Sequence, residues 1–159
     1  MVRSSMPDEA TPPELRVLIV DDEIDTATSF SYVLQILGCK TAVAFGGAMG
    51  LRVAQLFQPN LVFIDLGMPG ADGCETLAAV RGLEGAVASA MFVCLTGRSD
   101  ADEQRCLQAG FDRFVNKPMD AALLPELLAE ARSRAAMTTA LSPVQPTAAD
   151  STSSTNDGA

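Results

Sequence analysis

The sequence predicts an α/β protein, a three-layer, doubly wound (βα)5 sandwich built on one parallel sheet. Three observations predict it. Short apolar runs recur about every 20–30 residues, the spacing of strand–helix units. The first, third and fourth runs are continuously apolar, as strands covered on both faces are. The segments between the runs carry helical periodicity and stop at Gly or Pro.

The strands are expected at Arg16–Val20 (RVLIV), Thr41–Phe45 (TAVAF), Leu61–Ile64 (LVFI), Met91–Leu95 (MFVCL) and Phe111–Val115 (FDRFV). In the first helix Phe30, Val33, Leu34 and Leu37 recur at i, i+3, i+4, i+7, and Gly38 stops it. A second helix fits Gly50 to Phe57 and ends at Pro59; a third fits Cys74 to Arg81. Asp100–Ala109 is helical by its Gly110 stop but only weakly amphipathic, which suits a helix able to shift. The last helix shows Leu124, Leu127, Leu128 and Ala131 on one face. A flavodoxin-like strand order, 2-1-3-4-5, is a common solution for such a chain, and it places ligands at the carboxyl ends of the strands.

With 159 residues, 48% of them hydrophobic, the chain suits one domain with tails. Residues 1–14 read as a flexible leader, 15–136 as the folded domain, and 137–159 as a Ser/Thr/Pro-rich tail too polar to offset its ordering entropy. No DNA-binding domain is expected after residue 136. A net charge of −9 argues against direct binding to nucleic acid or anionic membrane. No segment reads as a leader h-region or a membrane span, so a soluble, cytoplasmic protein is expected. The absence of histidine excludes His acid–base chemistry, His metal ligation and any role as a phosphohistidine donor. Cys39, Cys74, Cys94 and Cys106 form no CxxC pair and are expected as buried, reduced thiols.

The strand ends carry the chemistry. Strand 1 runs into Asp21 and Asp22, strand 3 into Asp65 and strand 4 into Thr96, while Lys117 and Pro118 follow strand 5. Singly, an Asp at a strand end is most often a turn or helix cap. Together, on adjacent strands, these residues converge on one crevice. Clustered carboxylates repel, and either raised pKa values or a divalent cation relieves them. An all-oxygen donor set without His or Cys suits Mg²⁺. Lys117 supplies a point charge for a phosphate oxygen, Thr96 a hydroxyl, and Asp65 a carboxylate nucleophile of the kind that forms aspartyl-phosphates.

These motifs, LIVDDE (Leu18–Glu23), FIDLGMPGADG (Phe63–Gly73), CLTG (Cys94–Gly97) and FVNKP (Phe114–Pro118), resemble those of response regulator receiver domains of bacterial two-component systems. The resemblance covers residues 16–132 and is to single-domain, chemotaxis-regulator-like members, while the DLGMPGADG loop also resembles receivers attached to hybrid sensor kinases. It implies Asp65 as phosphoacceptor and Asp21 and Asp22 as the acidic pair. The metal ligands would be Asp21, Asp22, Asp65 and the Gly67 carbonyl. It further implies Thr96 as the switch hydroxyl, Lys117 as the phosphate-binding lysine and a cis bond before Pro118. Phe114 stands where many relatives carry Tyr and would turn inward on phosphorylation. Gly67 and Arg98 occupy positions that tune phosphate lifetime in the family.

The resemblance implies a stand-alone regulator. It would receive a phosphoryl group from a sensor histidine kinase or histidine phosphotransfer domain and signal through its fourth helix, fifth strand and fifth helix to a protein target. It would not be an enzyme beyond assisting its own phosphorylation and dephosphorylation. Two alternatives stay open: a phosphorelay intermediate passing phosphate to a histidine phosphotransfer protein, and a receiver-like binding module with Asp65 idle. A metabolic phosphatase is disfavoured, because Gly67 stands where a second Asp would be needed.

Overall fold

The computed structural model describes residues 14–68, 72–97 and 100–141. Nearly all of the expected leader, Arg98 and the tail from residue 142 lie outside the described residues. Five strands, β1 (Arg16–Val20), β2 (Lys40–Ala44), β3 (Leu61–Asp65), β4 (Met91–Thr96) and β5 (Arg113–Asn116), alternate with five helices. These are α1 (Ile24–Ile36), α2 (Gly47–Phe57), α3 (Gly73–Arg81), α4 (Asp100–Ala109) and α5 (Leu124–Leu141). Single 3-10 turns at Ala86–Ser89 and Ala121–Leu123 precede β4 and α5. The sheet is parallel throughout, in the order β2-β1-β3-β4-β5. The expected fold class and strand order are therefore correct.

The central strands β3 and β4 are buried along their whole length, and β1 nearly so, as their unbroken apolar runs require. The edge strands β2 and β5 are only partly covered. Side chains alternate between two apolar layers. Val17, Ile19, Phe63, Val93 and Leu95 pack against Ala27 and Leu34 of α1 and Leu124, Leu127, Leu128 and Ala131 of α5. Leu18, Val20, Ile64, Phe92 and Cys94 pack against α2, α3 and α4 on the other face. Phe63 and Phe92 are fully buried, one in each layer, each worth about 1.5–3 kcal/mol of transfer free energy. Phe30 meets Phe63 edge-on, with ring centroids 4.8 Å apart.

Helix ends follow the expected punctuation. Gly38 and Gly110 sit at φ +92° and +100°, conformations that a Cβ disfavours. The last turn of α2 closes at Gln58, immediately before Pro59.

Several boundaries and faces differ from expectation. On α1 the buried residues are Ala27, Ser31 and Leu34, whereas Val33 and Leu37 are 37% and 40% exposed. The small residues Ala27 and Ser31 let α1 lie close to the sheet, so Val33 and Leu37 fall to the flank. Phe111 is buried but precedes β5, because Gly110 turns the chain and the Phe111 N–H bonds back to the Cys106 carbonyl. Helix α5 runs to Leu141, past the expected domain end at residue 136. The thiol expectation needs correction. Cys94 and Cys106 form a disulfide between β4 and α4, and Cys74 is only half-buried; Cys39 alone is a buried free thiol. The pair arises because both side chains point into the same apolar layer, with Cα atoms 6.4 Å apart. No helix among the described residues is long and apolar enough to cross a membrane.

Candidate functional site

The adjacent strands β1, β3, β4 and β5 deliver their last residues to one edge of the sheet. At the end of β1 the Asp21 N–H still donates to the Ala44 carbonyl, at 3.0 Å, so strand pairing fixes its backbone. Its Oδ1 accepts the Glu23 N–H at 3.0 Å, and its side chain is buried. Asp22, next along, is exposed.

Asp65 is the last residue of β3 and is buried. The Leu66 N–H continues the ladder to the Leu95 carbonyl, at 2.9 Å, and the Gly67 N–H turns back to Asp65 Oδ1, at 3.1 Å. Among the described residues, a Cβ placed on Gly67 would meet nothing nearer than Asp65 Oδ1, at 3.9 Å. Gly73, the first residue of α3, is a different case. A Cβ there would lie 2.9 Å from both the Asp65 carbonyl oxygen and the Leu66 Cα, so α3 rests directly on the backbone that carries Asp65.

Thr96 ends β4 and is buried, and its carbonyl accepts the Lys117 N–H at 2.8 Å. The Lys117–Pro118 peptide bond is cis. Lys117 Nζ stands 3.3 Å from Asp65 Oδ2 and 3.3 Å from Asp21 Oδ2, bridging the two buried acids. Carboxylate oxygens of Asp21, Asp22 and Asp65 all lie within 4.8 Å of one another, a group that could hold a metal ion.

The electrostatics follow from this crowding. Burial pushes the Asp21 carboxyl up, and the Asp65 charge adds to it. The Glu23 N–H and Lys117 pull the other way without cancelling the rise. Burial also works against the charge on Lys117, but the fields of Asp65 and Asp21 and its bonds to both leave its pKa raised. Three oxygen donors, one of them exposed, with no nitrogen or sulfur ligand among them, fit a hard divalent cation that keeps part of its water shell.

The structure thus brings Asp21, Asp22, Asp65, Thr96 and Lys117 to one edge, with Gly67 in the adjoining loop. Phe114 lies apart from the acids, half-buried on β5 beside Cys94 of β4. An apolar cleft of about 240 Å³ opens next to Lys117, lined among others by Thr26, Phe30, Val33, Pro118 and Met119. Two further contacts went unseen in the sequence. Asp72 caps α3 by accepting the Cys74 N–H at 2.9 Å, and the same oxygen takes Arg105 of α4 at 2.9 Å. The cap was readable from Asp72-Gly73 ahead of a helix; the Arg105 partner, 33 residues on, was not.

The model of the response regulator receiver domain family matches residues 17–129. The chain belongs to this family. Transcriptional regulatory protein PrrA of Mycobacterium tuberculosis is 35% identical over 120 residues, covering 74% of this chain and 48% of PrrA. Virulence sensor protein BvgS of Bordetella bronchiseptica is 33% identical over 144 residues, covering 85% of this chain and 12% of BvgS. The chain spans about half the length of the PrrA relatives it matches. Among solved structures, chemotaxis response regulator CheY4 of Vibrio cholerae aligns with a TM-score of 0.68 at 27% identity, covering 75% of this chain and 99% of that one. A CheY-like receiver domain protein from Methanospirillum hungatei aligns at 0.70 and 25% identity, covering 79% and 99%. This receiver domain is therefore related both to regulators and to a sensor protein.

Proposed function

We propose that Asp65 accepts a phosphoryl group from a phosphohistidine on a partner sensor kinase or phosphotransfer domain, and that the modified domain signals through protein contacts. One observation carries the reading: Lys117 Nζ bridges Asp65 and Asp21 at 3.3 Å within a cluster of three carboxylates at the strand ends. An Asp65 oxygen attacks phosphorus as the bond to the histidine nitrogen breaks, and the electron pair of that bond returns to the imidazole. Lys117 then has a phosphate oxygen to neutralise in place of the Asp65 charge, and the Thr96 hydroxyl has another to bond. Asp21, Asp22, Asp65 and the Gly67 carbonyl are the proposed ligands of Mg²⁺, which when bound offsets the negative charge of the acids and the incoming group. Little covalent work remains for the protein beyond positioning and neutralisation.

The apolar cleft beside Lys117, with Ile24 exposed at the head of α1, offers the donor an apolar surface at this edge of the sheet. Output is assigned to α4, β5 and α5, with Phe114 turning toward the space that Thr96 leaves. Open backbone at Gly67 favours access of water to the phosphoryl group. The exchange is placed in the cytoplasm, and no direct DNA contact is assigned to this domain. Likeness to the sensor protein BvgS supports a second reading, in which the phosphoryl group passes onward to another histidine protein. The deciding experiment is phosphotransfer from candidate phosphorylated kinases to the wild-type chain and to Asp65→Asn. Label on wild type alone supports the reading, and equal label on both overturns it.

A further inference from the structure

The disulfide lies on the expected route of the switch. Cys94 is two residues before Thr96 on β4, so strand alternation puts both side chains on one face of the sheet. Across the ladder its partner on β5 is Phe114, and the two share an apolar layer with Cys106. Cys106 belongs to α4, and both sulfur-bearing residues are fully buried. The preceding residue, Arg105, fastens the same turn of α4 to Asp72 at the head of α3. Helix α4 is thus joined covalently to the strand that ends in Thr96, beside the aromatic ring that must move.

We propose that Cys94 and Cys106 form a thiol–disulfide control on the phosphorylation switch: oxidised, they pin α4 to β4 and oppose the activated arrangement; reduced, they release it. This rests on the reading of Asp65 as the phosphoacceptor. The oxidant class is a small disulfide such as oxidised glutathione. One cysteine thiolate attacks a glutathione sulfur and expels one glutathione thiolate. The second thiolate attacks the protein sulfur of the mixed disulfide and expels the other. The two cysteine protons end on two glutathione molecules, and the glutathione disulfide is reduced as the protein pair is oxidised. Since both sulfurs are buried, exchange proceeds through local opening of α4.

The test uses the full chain, equilibrated with oxidised glutathione or with dithiothreitol, its linkage read by peptide mapping without reduction. Each form is then titrated with beryllofluoride and Mg²⁺ while the Phe114 and α4 amide signals are followed. The reduced form is expected to bind more tightly, within the 5–150-fold range usual for coupled sites. Cys106→Ala is expected to bind like the reduced form in both buffers. Equal affinity of the two forms overturns the proposal, as does failure of glutathione disulfide to link Cys94 to Cys106. Absence of binding in both forms overturns the Asp65 reading itself, a result distinct from equal binding.

Discussion

Lys117 Nζ lies 3.3 Å from Asp65 Oδ2, although Lys117 follows β5 and Asp65 ends β3, strands that are not neighbours in the sheet. Lys117 makes the same contact with Asp21, whose side chain is almost wholly buried. Replacing Lys117 by Met leaves two close acids without their cation. We expect a loss of about 1–3 kcal/mol in denaturant unfolding, the cost of unsatisfied buried polar groups. Adding Asp21→Asn should recover part of it, a coupling read from the double-mutant cycle. Full additivity would show that Lys117 does not compensate Asp21. The raised Lys117 pKa means that this contribution is complete below the ordinary lysine value of 10.5 and fades as pH rises through the raised one.

Acid should relieve the same cluster, and a metal should compete with it. Burial, then the Asp65 charge, raises Asp21 above the ordinary 3.8. An acid whose folded pKa is raised binds its proton more tightly in the folded chain. It therefore destabilises the fold at higher pH and ceases to do so as pH falls through the raised value. Mg²⁺ is expected to raise the thermal midpoint at about pH 7 and to lose most of that effect by about pH 4, where carboxylates protonate. Thermal melts with and without Mg²⁺ at both pH values measure this. An equal gain at both would count against metal binding by these carboxylates.

Gly73→Ala should be costly for a reason visible only in three dimensions. Its Cβ would press on the Asp65 carbonyl and the Leu66 Cα, both backbone atoms. We expect about 1–3 kcal/mol of destabilisation, as for overpacking, and weakened Mg²⁺ binding through displacement of Asp65. Gly97→Ala meets nothing within 4 Å among the described residues and should change stability by less than about 0.5 kcal/mol. Similar losses for both variants would contradict the close approach of α3 to β3.

Much of this was legible in the sequence, for definite physical reasons. Continuous apolar runs located β1, β3 and β4, and the polar residue ending each run marked the carboxyl edge. Lys117 and the acids converge because parallel strands bring their ends to one side. What escaped was tertiary. The close packing of α1 through Ala27 and Ser31 left Val33 and Leu37 exposed, while Phe30 and Leu34 of the same stripe pack on the core. Nothing local in the sequence paired Cys94 with Cys106 or Arg105 with Asp72. The clearance at Gly73 depends on where α3 lands.

The Asp72 carboxylate serves α3 as a cap and α4 as an ion-pair partner, and the two uses differ in weight. Asp72→Ala should cost about 1 kcal/mol, as loss of an N-cap does. Arg105→Ala removes only a half-exposed pair and should cost at most about 1 kcal/mol, vanishing at high salt. Urea unfolding at low and high salt separates the two. A larger loss for Arg105→Ala than for Asp72→Ala would reverse this order.

The central claim is that Asp65 is the carboxylate modified. Intact-mass measurement after incubation with Mg²⁺ and acetyl phosphate, a small phosphodonor, tests it most directly. The wild-type chain is expected to gain the mass of one phosphoryl group, labile to base and dependent on Mg²⁺, while Asp65→Asn gains none. The same gain on Asp65→Asn, or none on a folded, Mg²⁺-loaded wild-type chain, would contradict it.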